Sequence, residues 1–395
     1  MSSHSTQNAT KVSPLYDPRV RSYFFQILLV VVVGYLLYSA VTNAISNLRA
    51  ANIATGLKFW NNQAGFAISQ TLIPHDTTSS TYGNAFWVGL LNTLLVGVIG
   101  VFFATILGFA IGIARLSKNW IIAQMAMIYV EIIRNLPLLL QLFFWYNAVL
   151  KPLPSPKDSI NFGAGFFLNN RGLFFPEPVF TSGSWMIWSA LAIAVAGSIY
   201  TAIWAKRRQA QTGEQFPVGL VTLALIFILP AFAYFVAGQP VNFSYPVLKG
   251  FNFSGGLQVI PELAALILGL VTYTAGFIAE IVRAGIEAVN KGQSEAANSL
   301  GLKNKHTLKF VVIPQAMRVI IPPLTSQYLN LIKNSTLGVA IGYPDLVQIF
   351  AGTVLNQTNQ AIEVIGITMG VYLLISLITS SLMNIYNEKM KIVER

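Results

Sequence analysis

Charged residues are scarce in this chain, and several fall inside long apolar runs, where a charge has to be neutralised or put to use. Glu131 and Arg134 lie in EIIRNLPLLLQ, followed by Pro137 and Gln141; Glu280 and Arg283 lie in TYTAGFIAEIVRAGI; Lys333, Asn334, Ser335 and Thr336 make a polar step in YLNLIKNSTLG, shortly after Gln327. A charge at the centre of a bilayer costs roughly 2.5–3.5 kcal/mol on insertion scales, so such residues normally face a bundle interior or an aqueous cavity. The chemistry on offer is recognition. Such groups can line a pathway, or they can hold helices together. Arg134, Gln141, Glu280, Gln327, Lys333, Asn334 and Ser335 are therefore candidate substrate-pathway residues. The plainer reading stands beside this one: residues three apart share a helix face, so Glu131 pairs with Arg134 and Glu280 with Arg283 as structural ion pairs. Lys333 can meet a substrate carboxylate or Glu280, and the polar step can equally serve interhelical hydrogen bonding.

A second polar stretch, KGQSEAANSLGLKNKHTLKFVVIP from Lys291 to Pro314, separates two apolar runs. Ser294 can cap a short helix beginning at Glu295, and Gly301 is its stop signal. A helix that merely lies in lipid headgroups carries a face of bulky apolar residues. Here Ala296 and Ala297 are small and only Leu300 projects, so the helix suits insertion into a protein groove.

These groups have to be positioned by membrane-spanning helices. Hydrophobic residues make up 54% of the 395 and charged residues only 10%, which places the chain among membrane proteins and leaves no soluble domain of any size. The net charge of +11 comes from basic residues in short clusters between apolar runs, as positive-inside topology requires, and implies no nucleic acid. With no cysteine, disulfides and thiolate metal sites are excluded. No metal or cofactor site is read from the sequence. Spans are expected at about 23–45, 84–114, 120–149, 185–205, 216–238, 260–284, 319–341 and 361–386, the seventh interrupted by Pro322, Pro323, Lys333 and Asn334. Eight crossings put both termini in the cytoplasm, with residues 1–22 and 387–395 as tails and Lys206-Arg207-Arg208 as an inside anchor. Segments 46–83, 151–184 and 239–259 read as external loops.

The polar stretch resembles the EAA loop of ABC-transporter permeases: Glu295-Ala296-Ala297, Gly301 and Pro314 match, with Val311 and Ile313 at the two aliphatic positions before the proline. RNLPLLLQ is similar to the R-G-T-P-x-x-x-Q motif of polar amino-acid permeases, with Asn135 and Leu136 in place of Gly-Thr. AEIVRAGI, KGQSEAANSLGL, VIPQAMR and LIKNSTLG follow that subfamily's signatures in order. The resemblance covers 84–149 and 260–386. It implies an all-α polytopic fold with a type I ABC importer permease (MetI-like) core of five helices, to which the first span is an N-terminal addition and residues 150–259 an insertion with two spans. The extended layout looks most like the long permease of general L-amino-acid uptake systems, the Aap/Bzt type.

The resemblance also implies function. The chain would be the non-catalytic permease subunit of an importer of L-amino acids in the bacterial inner membrane. Glu295, Ala296, Ala297 and Gly301 would dock a dimer of separate ATP-binding subunits, with Glu295 near basic residues of the ATPase and the alanines permitting close packing. A second permease subunit, a shorter relative, and a periplasmic amino-acid-binding protein would complete the assembly. The absence of a G-x-x-x-x-G-K-[ST] loop fits a subunit that takes its energy from partners. Two other readings are an ion-gradient-driven secondary transporter, for which no internal repeat is evident, and a membrane scaffold without transport.

Overall fold

The computed structural model describes residues 18–50 and 56–390. Its helices, in chain order, are α1 (Pro18–Ala50), α2 (Tyr82–Arg115), α3 (Trp120–Asn135), α4 (Leu138–Phe143), α5 (Trp185–Thr212), α6 (Val218–Val236), α7 (Pro261–Glu287), α8 (Lys291–Ser299), α9 (Asn304–Thr307), α10 (Ile313–Asn334), α11 (Leu355–Thr358) and α12 (Ala361–Met390). Among the described residues seven helical segments are long and apolar enough to cross a membrane, and an eighth is obtained if α3 and α4 are one broken span. This agrees with the spacing of apolar runs in the sequence.

The third run departs from expectation. It is not one straight helix from Trp120 to Val149. It bends by 107° between α3 and the segment Leu138–Leu150. The cause is Pro137: a proline disfavours the helical conformation in the residue before it, and Leu136 is extended, with φ −96° and ψ 132°. The seventh run, by contrast, tolerates Pro322 and Pro323 inside α10, and helical structure is continuous from Asn304 to Ile341. The polar step at 333–336 lies where α10 gives way to a 3-10 turn, Ser335–Ile341, and not in the middle of a helix.

The chain forms two compact units. The first, drawn from residues up to Leu90 and Leu346–Leu374, has an aromatic core. A short 3-10 turn, Leu57–Asn61, buries Phe59 and brings Trp60 against Phe86 and Phe350, with ring centroids 5.0 and 5.9 Å away. Gly83 is required there, since a Cβ would stand 2.3 Å from the Trp60 indole nitrogen. The 56–81 segment is thus a folded cover and not a free loop. His75 bridges the Asn84 side chain (2.7 Å) and the Phe66 carbonyl (3.0 Å).

The second unit, Leu91–Asp345 with Ile375 onward, is organised around α7. Helix α7 is largely buried along its apolar length, whereas α6 has no buried residue. Its residues Leu263, Leu266, Leu270, Ile278 and Val282 meet Val96 and Ala104 of α2, Leu138 and Leu142 of α4, and Ile320, Leu324 and Leu331 of α10. Helices approach this closely because glycines sit at the crossings, the usual solution where lipid removes the hydrophobic drive between helices. A Cβ on Gly108 or Gly112 of α2 would reach within 2.5 Å of Ile278 or 2.8 Å of the Ala279 carbonyl oxygen; one on Gly285 of α7 would reach within 2.3 Å of Ile320.

The two inserted segments read as loops contain eight short strands: β1 (Ile160–Gly163), β2 (Phe166–Asn169), β3 (Gly172–Phe175), β4 (Glu177–Phe180), β5 (Val241–Ser244), β6 (Val247–Lys249), β7 (Asn252–Ser254) and β8 (Leu257–Val259). They pair antiparallel as β1-β2-β3-β8, β4-β5 and β6-β7. Leu173 faces Val259 and Val179 faces Asn242, so the chain before α5 is stitched to the chain after α6. Gly163, Ala164 and Gly165, all with positive φ, supply the first turn.

Candidate functional site

The short polar helix α8 starts a turn earlier than the sequence suggests. Its cap is Asn290, whose side chain accepts from the Gly292 N–H at 2.8 Å, and not Ser294. Both residue types cap well, and the capping position goes to the one whose backbone leaves α7. Gly301 ends the helix in the left-handed region, φ 80°, as its stop signal implied.

The docking candidates separate. Glu295 and Ala296 are exposed, as is Leu300 at 83%, whereas Ala297 is only 4% exposed and faces the body of the subunit. Ala297 therefore seats α8 on its own chain. Its methyl is not available for close packing with an external protein in this arrangement. A groove of ≈650 Å³ runs beside the helix, walled by Ile286, Glu287, Ser294, Glu295, Leu308 and Val312.

The pathway candidates do not all converge. Glu280 is a hub: Arg283 donates to Oε1 at 2.5 Å, Arg115 donates to Oε2, and the Arg134 guanidinium stands 3.6 Å from Oε2. Arg283 also pairs with Glu287 at 2.5 Å. The Glu280–Arg283 pair was legible from spacing. The Arg115 and Arg134 contacts, from α2 and α3, were not, because nothing local in sequence relates positions 115, 134 and 280. The expected Glu131–Arg134 pair does not form among the described residues; Arg134 turns to α7 and lies over the Phe277 ring, 5.3 Å from its centroid. Nor does Lys333 reach Glu280, whose oxygens are already occupied by arginines; Lys333 is exposed.

Gln141 has a specific task. It is 6% exposed, and its Nε2 donates to the carbonyls of Ile133 (3.0 Å) and Leu136 (3.1 Å), two acceptors that the break after α3 leaves without helical partners. Ser335 is fully buried and its hydroxyl donates back to Ile332 O at 2.8 Å. Gln327 and Asn334 are half-buried on α10. Among the described residues no group of three or more His, Cys, Asp or Glu is arranged to hold a metal.

A family model described as the binding-protein-dependent transport system inner membrane component matches residues 216–392, the stretch that carries α8 and α10. Full-length relatives extend the match over the remainder. AapQ of Rhizobium johnstonii, a general L-amino acid transport system permease protein, is 52% identical over 384 residues, covering 97% of this chain and 95% of the relative. The chain belongs to this family of transport permeases. YhdX of Escherichia coli, named as an amino-acid ABC transporter permease protein, is also 52% identical, with 96% of each chain covered. BztB of Rhodobacter capsulatus, a glutamate/glutamine/aspartate/asparagine transport system permease protein, is 39% identical with 96% of each covered. The chain is thus a multi-pass, non-catalytic permease subunit of an ABC importer, a protein of the inner membrane. The matched family stretch takes in Glu280, Arg283 and the α8 residues of this permease. Arg115, Arg134 and Gln141 lie before it.

Proposed function

We propose that this permease forms the membrane path of an importer of L-amino acids, that α8 receives a separate ATP-binding subunit, and that both termini face the cytoplasm. The observation that carries the reading is α8 itself. It is a nine-residue helix seated through the buried Ala297, with Glu295, Ala296 and Leu300 turned outward, connecting α7 to the α9–α10 segment. A lever of this kind passes a push on its outer face to the two best-packed helices of the unit. Glu295 supplies a carboxylate for basic residues of the ATPase, and Gly301 gives the sharp exit. A partner permease, a shorter relative, completes the translocation path, to which Arg134, Gln141, Glu280, Gln327, Lys333, Asn334 and Ser335 are assigned. A periplasmic amino-acid-binding protein delivers substrate to the strand-rich face built by β1–β8. The names of the full-length relatives support the substrate class.

The test is uptake by proteoliposomes holding the purified assembly, loaded inside with ATP and given amino acid and binding protein outside. Uptake that requires internal ATP and survives collapse of all ion gradients is the expected result. Uptake that needs a gradient and no ATP identifies a secondary transporter and ends the proposal.

A further inference from the structure

We propose that Arg134 is the cation that receives the carboxylate of the transported amino acid midway across the membrane, and that Arg115 and Arg283 keep it available by saturating Glu280. This rests on the amino-acid importer reading above and deepens it to one atom group.

Charge and geometry lead to it together. Glu280 has two oxygens, and each already accepts from an arginine: Oε1 from Arg283 and Oε2 from Arg115. Arg134 stands 3.6 Å from an oxygen that is already taken, outside hydrogen-bond range. A guanidinium carries five N–H donors; among the described residues those of Arg134 meet no acceptor, only the face of Phe277. Three arginines face Glu280 and Glu287, so one positive charge is left over, and it is Arg134, 40% exposed, that carries it.

Its depth narrows the ligand. A Cβ on Gly276 would lie 3.6 Å from the Arg134 Cγ, so the arginine stem runs alongside Gly276. That residue is about 22 Å along α7 from Pro261 and about 16 Å from Glu287, at 1.5 Å per residue. This is the middle of a membrane-spanning helix, and an uncompensated charge at that depth marks a ligand path. Lipid phosphates lie at the bilayer surface, away from this depth. A planar carboxylate on a small solute fits the guanidinium fork in two parallel hydrogen bonds.

The test uses the whole assembly, permeases with ATP-binding subunits, in nanodiscs without binding protein. Binding is measured for L-glutamine and L-alanine and for their decarboxylated counterparts, 4-aminobutanamide and ethylamine. The wild type should prefer each amino acid to its amine. Arg134→Gln should weaken amino-acid binding at least tenfold and abolish the preference for acid over amine; Arg134→Lys should keep part of the preference. Arg115→Gln frees Oε2 of Glu280 to close on Arg134, so it should weaken amino-acid binding in the same direction, and adding Glu280→Gln should restore it. Because that pair retains Arg134, it decides the matter even if the Arg134→Gln assembly fails to form. Undiminished preference in Arg134→Gln, equal loss for acid and amine, or no rescue by Glu280→Gln overturns the proposal. So does binding that changes with phosphatidylglycerol content, which would give Arg134 to lipid. Wild-type assembly without ATP-driven amino-acid uptake would instead sink the importer reading, which the binding measurements leave standing.

Discussion

Ala296 and Ala297 are neighbours in one motif, yet the structure gives them opposite surroundings, and aspartate at each should separate docking from seating. At the exposed position 296 a carboxylate stays in water and costs the fold little. At position 297 it must enter a site that is 4% exposed. Keeping an aspartate neutral at pH 7, against a reference pKa of 3.9, costs about 4 kcal/mol at 1.36 kcal/mol per unit, and overfilling the site adds about 1–3 kcal/mol. Against that, the seat offers burial of one methyl, about 0.8 kcal/mol, and two side-chain contacts at 3.4 Å, Thr307 with Asn298 and Gln315 with Gln293. The helix should therefore leave its seat and not bury the charge. The chain has no cysteine, so spin labels on cysteines introduced at Ser294 of α8 and at Leu308 in the segment after it, both lining the groove, report the seat directly. Ala296→Asp should keep the wild-type distance and lose capture of the ATP-binding subunit; Ala297→Asp should lengthen and broaden the distance and lose capture as well. If Ala297→Asp holds the short distance, the seating argument is refuted.

Helix crossings offer a cleaner pair. Gly285→Ala drives a Cβ into Cγ1 of Ile320 and should cost about 1–3 kcal/mol in thermal unfolding, part of it recovered by adding Ile320→Ala, which removes that atom. Gly112→Ala meets the Ala279 carbonyl oxygen instead, and no side-chain change should rescue it. Gln141→Leu removes the donor to two carbonyls in an apolar setting and should destabilise the subunit by about 1–3 kcal/mol for each carbonyl left bare, with faster amide exchange confined to the α3–α4 junction. In the first unit, the Asp76 carboxylate accepts from the Thr78 hydroxyl (2.6 Å) and N–H (2.7 Å), which hold its pKa below the usual value. A carboxyl depressed on folding stabilises at neutral pH and loses that contribution as pH falls through the folded value. Protection of the Thr78 amide, corrected for intrinsic exchange, should therefore persist at neutral pH and fall only in acid, and Asp76→Ala should remove that dependence.

Span number and most span positions were legible because a bilayer sets one strong requirement, a long apolar helix, that shows in composition. The proline effect at 137 was also written in the sequence, but its outcome was not: Pro322 and Pro323 sit inside an unbroken α10, while Pro137 breaks its run. The β strands went unread because each is three or four residues and their pairing is long-range, Leu173 with Val259. Spacing found Glu280 with Arg283, which share one helix. It missed Arg115 and Arg134, since only packing of α2 and α3 against α7 brings them to the same carboxylate. The burial of Ala297 was hidden for the same reason: a small residue on a short polar helix reads alike whether it faces a partner or its own subunit.

The break in the third run ties these observations together. A helix cut inside an apolar medium leaves carbonyls that no water can satisfy, and the negative end of its dipole with them. Gln141 answers two of the carbonyls with one amide nitrogen, and Arg134, in the last turn of α3, answers the dipole with a positive charge. Neither arrangement is needed in an unbroken span: the break bares the carbonyls that Gln141 answers, and the packing of α3 against α7 sets Arg134 beside Glu280. Glu280 would cancel that charge if it were free, and Arg115 and Arg283 prevent it. On this logic a restored helix is the instructive variant. Replacing Pro137 with alanine removes the restriction on Leu136 and returns the carbonyls to helical partners, so Gln141 loses its function and the Leu138–Leu150 segment swings away from its packing on α7. Amino-acid uptake should then fail in an assembly that still inserts, captures its ATP-binding subunit and unfolds no earlier than the wild type. Uptake that survives straightening would show that the bend is incidental and that the path lies elsewhere.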